Sequence, residues 1–157
     1  MKIGDFLSED LIIPDLHAAG RESVLEELVA QMVHVRPEID SANAFRVLID
    51  RERIASTAVG NGFAIPHARL PQLRTIVGCF ARSKGGVAFG APDTRPVHLF
   101  LTLLAPEGGS GLHLKALARA SRLFKDADFR ARLIEVDDRA KMWAMICAED
   151  QRLAQHE

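Results

Sequence analysis

The stretch of this chain best placed to do chemistry is Gly60-Asn61-Gly62-Phe63-Ala64-Ile65-Pro66-His67-Ala68-Arg69. Two glycines around an asparagine can put the backbone at positive φ, so the segment opens with a tight turn. Phe63, Ala64 and Ile65 follow as a short extended apolar piece. Pro66 fixes its own φ and pushes Ile65 toward an extended conformation. His67 is therefore presented at a tightly defined point, at the edge of a sheet. A neutral imidazole carries one free lone pair near neutral pH and can attack a phosphoryl group and later release it. Position alone fits a packing or surface histidine equally well.

Further polar residues invite a role. Gly108-Gly109-Ser110-Gly111 leads into a helix whose first turn holds His113. Free backbone N–H groups at such a start can receive an anion, although an early-turn histidine is also an ordinary structural feature. Arg51 and Arg53 lie near the end of a helix over about 42–53, where a cation suits the helix dipole. Ser56 and Thr57 are possible hydroxyl donors, in a segment that equally reads as a plain connection.

The run Arg51-Glu52-Arg53-Ile54-Ala55-Ser56-Thr57-Ala58-Val59-Gly60-Asn61-Gly62-Phe63-Ala64-Ile65-Pro66-His67 closely resembles the signature of the fructose/mannitol-type enzyme IIA domains of the bacterial phosphotransferase system, nitrogen-regulatory proteins included. The resemblance extends over nearly the whole chain, with Gly111-Leu112-His113-Leu114 as a second matching segment. It implies that His67 is the phosphoryl acceptor, reacting through Nε2, and that His113 and Arg51 help hold the group. It also implies a histidine-phosphorylated phosphocarrier protein as donor, and regulatory targets or a IIB component as further partners. A free-standing chain with Ser-Thr-x-x-Gly-Asn-Gly suits the nitrogen-regulatory branch, in which phosphorylation state selects partners. A fructose-type transport domain passing the group to IIB, and a binding module never phosphorylated, are the alternatives.

The elements that must position these residues are legible in outline. At 157 residues the chain fits one domain, 1–157, with enough apolar content for a core. Residues 1–20 suggest a brief strand or turn at the sheet margin, with no role for His17. Val24, Leu25, Leu28, Val29, Met32 and Val33 form the stripe of a helix over 21–35, with Ser23 and Glu26 at capping-box spacing and His34 in the last turn. Ser41 is a cap for the second helix, whose inward residues are Ala44, Phe45, Leu48 and Ile49. Residues 76–81 read as a strand, Ser83–Gly86 as a turn, and 87–89 as a short returning strand. Val97 to Ala105 is a central strand in which His98 is a packing residue, and helices are expected after Gly111 and over 126–135 and 137–150. The sum is an α/β layered domain. The family resemblance implies a central mixed β-sheet flanked by helices.

Composition excludes several classes. Twenty basic against twenty-one acidic residues give a net charge of -1, which with no tyrosine and one tryptophan argues against a nucleic-acid binder. Cys79 and Cys147 are isolated thiols, without metal or redox spacing. The N-terminus has no signal-peptide core, and the apolar run 97–105 is too short to span a bilayer. A cytoplasmic carrier without membrane insertion is the expectation. Neither a phosphate loop nor a dinucleotide fingerprint is complete, so no cofactor is expected. A metal-dependent hydrolase using His67, His98 and His113 lacks a carboxylate cluster to support it. Phe63, Leu70 and Leu73 are candidates for an exposed apolar rim around His67, with core packing as the competing reading.

Overall fold

The structure, a computed structural model, describes residues 1–108 and 111–157. Two 3-10 turns, Ile3–Asp5 and Glu9–Leu11, lead into β1 (Ile12–Ile13), then α1 (Arg21–Val35) and α2 (Ser41–Ile54). Three short strands follow: β2 (Ala58–Gly60), β3 (Phe63–Ala64) and β4 (His67–Leu70). Two long strands, β5 (Val77–Val87) and β6 (Val97–Pro106), complete the sheet, and α3 (Leu112–Leu123), α4 (Ala127–Glu135) and α5 (Arg139–Gln155) close the chain. The sheet is mixed, in the order β1-β5-β6-β3-β2, with β4 also paired to β6. The expectation of a mixed sheet flanked by helices holds.

β6 organises the sheet. It pairs antiparallel with β5 along one edge, while β3 and then β4 run parallel to it along the other. Phe63 lies opposite Leu99 and His67 opposite Leu103, so β3 and β4 lie in line along one edge of β6, broken only at Ile65–Pro66. Pro66 has no N–H to offer a ladder, yet its carbonyl still accepts the Leu103 N–H at 2.9 Å. Leu99, Phe100, Leu101, Leu103 and Leu104 are all buried, as a strand covered on both faces requires.

The caps differ from the sequence reading by a residue or more. Gly20, not Ser23, is the N-cap of α1; Ser23 instead exchanges bonds with the Gly20 backbone, and Glu26 takes no part. Asp40 caps α2, its carboxylate accepting the Asn43 N–H at 3.0 Å, and Ser41 is the first helical residue. A cap of this kind stabilises a helix by about 1 kcal/mol.

The expected turn at Ser83–Gly86 is part of a continuous strand. β5 runs through to Val87 with an irregularity between Arg82 and Val87, and Ser83 Oγ accepts the Gly86 N–H inside it. Gly86 sits at φ 81° with an added Cβ only 2.8 Å from Pro96 Cβ and 2.9 Å from His98 Cε1. Glycine is required there by a close approach from β6 as well as by the backbone. His98 packs on this bulge, Nδ1 lying 2.9 Å from the Ser83 carbonyl.

Buried polar groups tie the layers together. Arg82 is fully buried and donates to the carbonyls of Pro14 (2.9 Å), Ile134 (2.9 Å) and Val136, closing the C-terminus of α4 against the lead-in to α1. Arg119 of α3 pairs with Asp150 of α5 at 2.7 Å, and Asp150 also accepts the Ile3 N–H. Phe124, at the end of α3, stacks on Phe63 with ring centroids 4.6 Å apart and on Phe80 at 5.6 Å. Among the described residues no helix is long and apolar enough to cross a membrane.

Candidate functional site

The turn before β3 forms as its residues dictate. Gly60, Asn61 and Gly62 take φ values of 93°, 57° and 77°, and Asp93 holds the turn by accepting the Asn61 N–H at 2.9 Å. The chain then runs through β3 and the proline to His67, the first residue of the edge strand β4. α2 lies alongside β4, which brings its last turn and Arg51 to the histidine.

His67 is half-buried, and its Nδ1 lies 2.7 Å from the Ile65 carbonyl oxygen. A carbonyl only accepts, so Nδ1 carries the proton and Nε2 of the neutral ring keeps the lone pair. Burial pushes the His67 imidazole below its ordinary value; the Ile65 bond opposes this, the Arg51 charge adds to it, and the Glu52 charge opposes it. A lowered value keeps the nucleophilic form populated near neutral pH.

His113 occupies the first turn of α3 and is buried. Its ring lies 5.3 Å from that of His67, the planes inclined at 73°. Burial, then the proximity of His67 and Arg69, lowers its pKa as well. His113 Nδ1 has no hydrogen-bond partner among the described residues. Gly111 caps the helix at φ 79°; Gly109 and Ser110 of the expected glycine-rich entry lie outside the described residues.

Arg51, His67 and His113 line one open depression of about 380 Å³, together with Ile54 and Arg69. The three residues singled out in the sequence are thus brought together. Arg51 Nη1 donates to the Ala55 carbonyl at 2.8 Å, which steadies the guanidinium while leaving most of its donors unspent. Arg53 points elsewhere, pairing with Glu22 at 3.2 Å on the surface. Two guanidinium groups beside a neutral imidazole suit a group that arrives with negative charge on several oxygens. A larger hollow of about 720 Å³, walled by Arg36, Asp40, Asn43 and Leu73, lies toward the other end of α2 and contains no histidine. Volume alone would choose it; the chemistry does not.

Several expectations are corrected here. Phe63, Leu70 and Leu73 are buried and form no rim: Phe63 and Leu70 pair with β6 and Phe63 stacks on Phe124, while Leu73 follows in the turn after β4, its N–H bonded back to the Leu70 carbonyl. The exposed apolar residues beside the two histidines are Ile54 (82% exposed), Leu112 (38%) and Leu114 (69%). Ser56 Oγ donates to the Phe89 carbonyl and Thr57 Oγ1 to Glu52, so both hydroxyls are spent inside the protein. His98 stands five residues before Leu103, the partner of His67, and faces the β5 bulge. Among the described residues no cluster of three His, Cys, Asp or Glu side chains is gathered as a metal ion needs.

Two residues of this site were missed in the sequence. Arg69 shares the face of β4 with His67, which strand alternation makes readable. Glu52 is buried at the end of the apolar stripe Ala44, Leu48 and Ile49 of α2, and a carboxylate in phase with such a stripe is itself a signal.

The family model for the phosphoenolpyruvate-dependent sugar phosphotransferase system, EIIA 2, matches residues 5–148. A nitrogen regulatory protein of Bradyrhizobium diazoefficiens is 39% identical over 146 residues, which cover 93% of this chain and 95% of that one. The crystal structure of nitrogen regulatory protein IIA-Ntr from Neisseria meningitidis superposes with a TM-score of 0.84 at 31% identity, covering 92% of this chain and 98% of its own. The mannitol IIA of Escherichia coli, solved in complex with phosphorylated IIB, shares the fold with a TM-score of 0.75 at 17% identity, covering 90% of this chain and 97% of that one. By sequence and by fold, the chain belongs to the type 2 enzyme IIA family of the phosphotransferase system.

Proposed function

We propose that this enzyme IIA is a phosphohistidine carrier whose acceptor atom is Nε2 of His67. The observation that carries the reading is the 2.7 Å contact between His67 Nδ1 and the Ile65 carbonyl. With the proton fixed on Nδ1, the Nε2 lone pair forms the new N–P bond while the N–P bond of the donor phosphohistidine breaks. The released electron pair returns to the donor imidazole, and no proton changes place on His67. Arg51 and Arg69 hold the phosphoryl oxygens as charge shifts across them, and His113 borders the same space; positioning and electrostatics supply most of the acceleration in such transfers. No cofactor is called for.

The donor is a histidine-phosphorylated phosphocarrier protein, docking on the exposed apolar residues Ile54, which lines the depression, and Leu112 and Leu114, which flank His113 in the first turn of α3. Likeness to nitrogen regulatory proteins supports the further reading that phosphorylation selects regulatory partners, since a doubly negative group would offset the positive charge of Arg51 and Arg69 and change the surface a partner meets. A second reading, passage of the group to a IIB component, draws support from the fold shared with the mannitol IIA seen with phosphorylated IIB. Pull-downs with the two phosphorylation states separate these: regulatory proteins in one case, a IIB-type carrier in the other.

Intact mass after incubation with phosphoenolpyruvate, enzyme I and a phosphocarrier tests the carriage itself. The wild type gains one acid-labile phosphoryl group and His67→Ala gains none. Full-rate uptake by His67→Ala would overturn the assignment. Absence of uptake by the wild type would leave a protein that binds its partners unmodified.

A further inference from the structure

Three carboxylates are buried among the described residues: Glu52, Glu149 and Asp150. Glu149 is paired with Arg152 and Asp150 with Arg119, whereas Glu52, 1% exposed, makes no ion pair among the described residues. Burying a carboxylate without a cation is costly. Both of its oxygens are used on one residue: Oε2 accepts the Thr57 N–H at 2.7 Å, and Oε1 accepts the Thr57 hydroxyl at 2.6 Å.

Thr57 passes the constraint on. Its carbonyl accepts the Ile65 N–H at 3.1 Å. Ile65 precedes a proline and has little rotational freedom left, and the Pro66 carbonyl is held from the far side by Leu103 N–H at 2.9 Å. The Ile65 carbonyl is therefore fixed in direction, and it accepts the His67 Nδ1 proton. A continuous series of hydrogen bonds and one stiff dipeptide thus connects a buried carboxylate to the atom that sets the tautomer of His67.

We infer that Glu52 is a positioning residue for His67: by clamping Thr57 it fixes the Ile65 carbonyl, keeps the proton on Nδ1 and leaves the reactive lone pair on Nε2. The inference rests on the reading of His67 as the phosphoryl acceptor. Glu52 follows Arg51 directly in the last turn of α2, so a single helical turn places the guanidinium and orders the imidazole. Its charge serves the phosphorylated state too. An imidazole bonded to phosphorus at Nε2 and protonated at Nδ1 carries a positive ring, which burial opposes and a nearby carboxylate favours.

The test uses the ¹⁵N-labelled full chain. Long-range ¹H–¹⁵N spectra read the His67 tautomer in the unphosphorylated protein, and phosphoryl uptake from the phosphocarrier is timed in parallel. Glu52→Ala is expected to show a mixture of Nδ1–H and Nε2–H forms and a roughly ten- to hundredfold slower uptake, the scale of a small misplacement of a reacting atom. Glu52→Gln, which can still accept the Thr57 N–H and meet its hydroxyl, restores a single Nδ1–H tautomer and most of the rate. A folded Glu52→Ala with the wild-type tautomer overturns the inference, as does a folded Glu52→Gln that fails to restore it. If Glu52→Ala does not fold, Thr57→Val removes the hydroxyl bond alone and the same spectra decide. The tautomer is read without phosphorylation, so wild-type protein that takes up no phosphoryl group would refute the carrier reading and leave this result standing on its own.

Discussion

Lowering the pH should cost this carrier less activity than it would cost an ordinary histidine. An imidazole with the unperturbed value near 6.5 loses about tenfold of its neutral form between pH 7.5 and pH 5.5. His67 is held below that value, chiefly by burial and further by Arg51, so its neutral fraction must fall by less than tenfold over the same interval. The donor phosphohistidine also responds to pH, so the decisive assay is proton NMR titration of the His67 ring in unphosphorylated protein, with uptake rates at saturating donor beside it. The same shift has a consequence for stability. With the folded value depressed, the unfolded chain binds more protons as pH falls, so the stability present above about pH 6.5 is lost between that value and the folded one. His113 adds in the same sense, and each histidine contributes a slope of up to about 1.4 kcal/mol per pH unit. Replacing both by glutamine removes that slope. A His67 midpoint at or above 6.5 would refute the reasoning, because burial and the Arg51 charge would then not govern the ring.

Two other substitutions probe different parts of the molecule. Arg82→Met leaves the carbonyls of Pro14, Ile134 and Val136 without their buried donor; a loss of about 3–5 kcal/mol lowers Tm by roughly 10 °C in a thermal melt, while His67 is still phosphorylated at low temperature. Ile54→Asp places a charge on the most exposed apolar residue beside the depression. It should raise KM for the phosphocarrier about tenfold, one well-packed interface contact's worth, and leave Tm within about 2 °C of wild type.

The parts of the site that could be read from the sequence are those whose conformation is local. The Gly60-Asn61-Gly62 turn and the place of His67 at the start of an edge strand follow from backbone preferences of the residues themselves, and both appear as expected. The apolar rim did not, because Phe63 and Leu70 look alike in sequence whether they face a partner or β6. Only the pairing of β3 and β4 along β6, with Phe124 brought over Phe63, settles which. Ile54 is exposed instead, since it falls out of phase with the buried stripe Ala44, Leu48 and Ile49 of α2. The β5 bulge reads as a turn in the sequence for a related reason: Gly85-Gly86 is a turn signal, but Gly86 answers to Pro96 and His98 across the sheet. Glu52 is nearly silent in the sequence because a charge in a helix reads as solvated until its partner, Thr57, folds back over it.

The central claim is that His67 reacts through Nε2 while its proton stays on Nδ1, bonded to Ile65. Long-range ¹H–¹⁵N spectra of the phosphorylated, ¹⁵N-labelled protein test it most directly, since coupling to phosphorus identifies the substituted ring nitrogen. The account predicts phosphorus on Nε2 of His67 and a retained Nδ1 proton. Phosphorus on Nδ1, or on any residue other than His67, would contradict it.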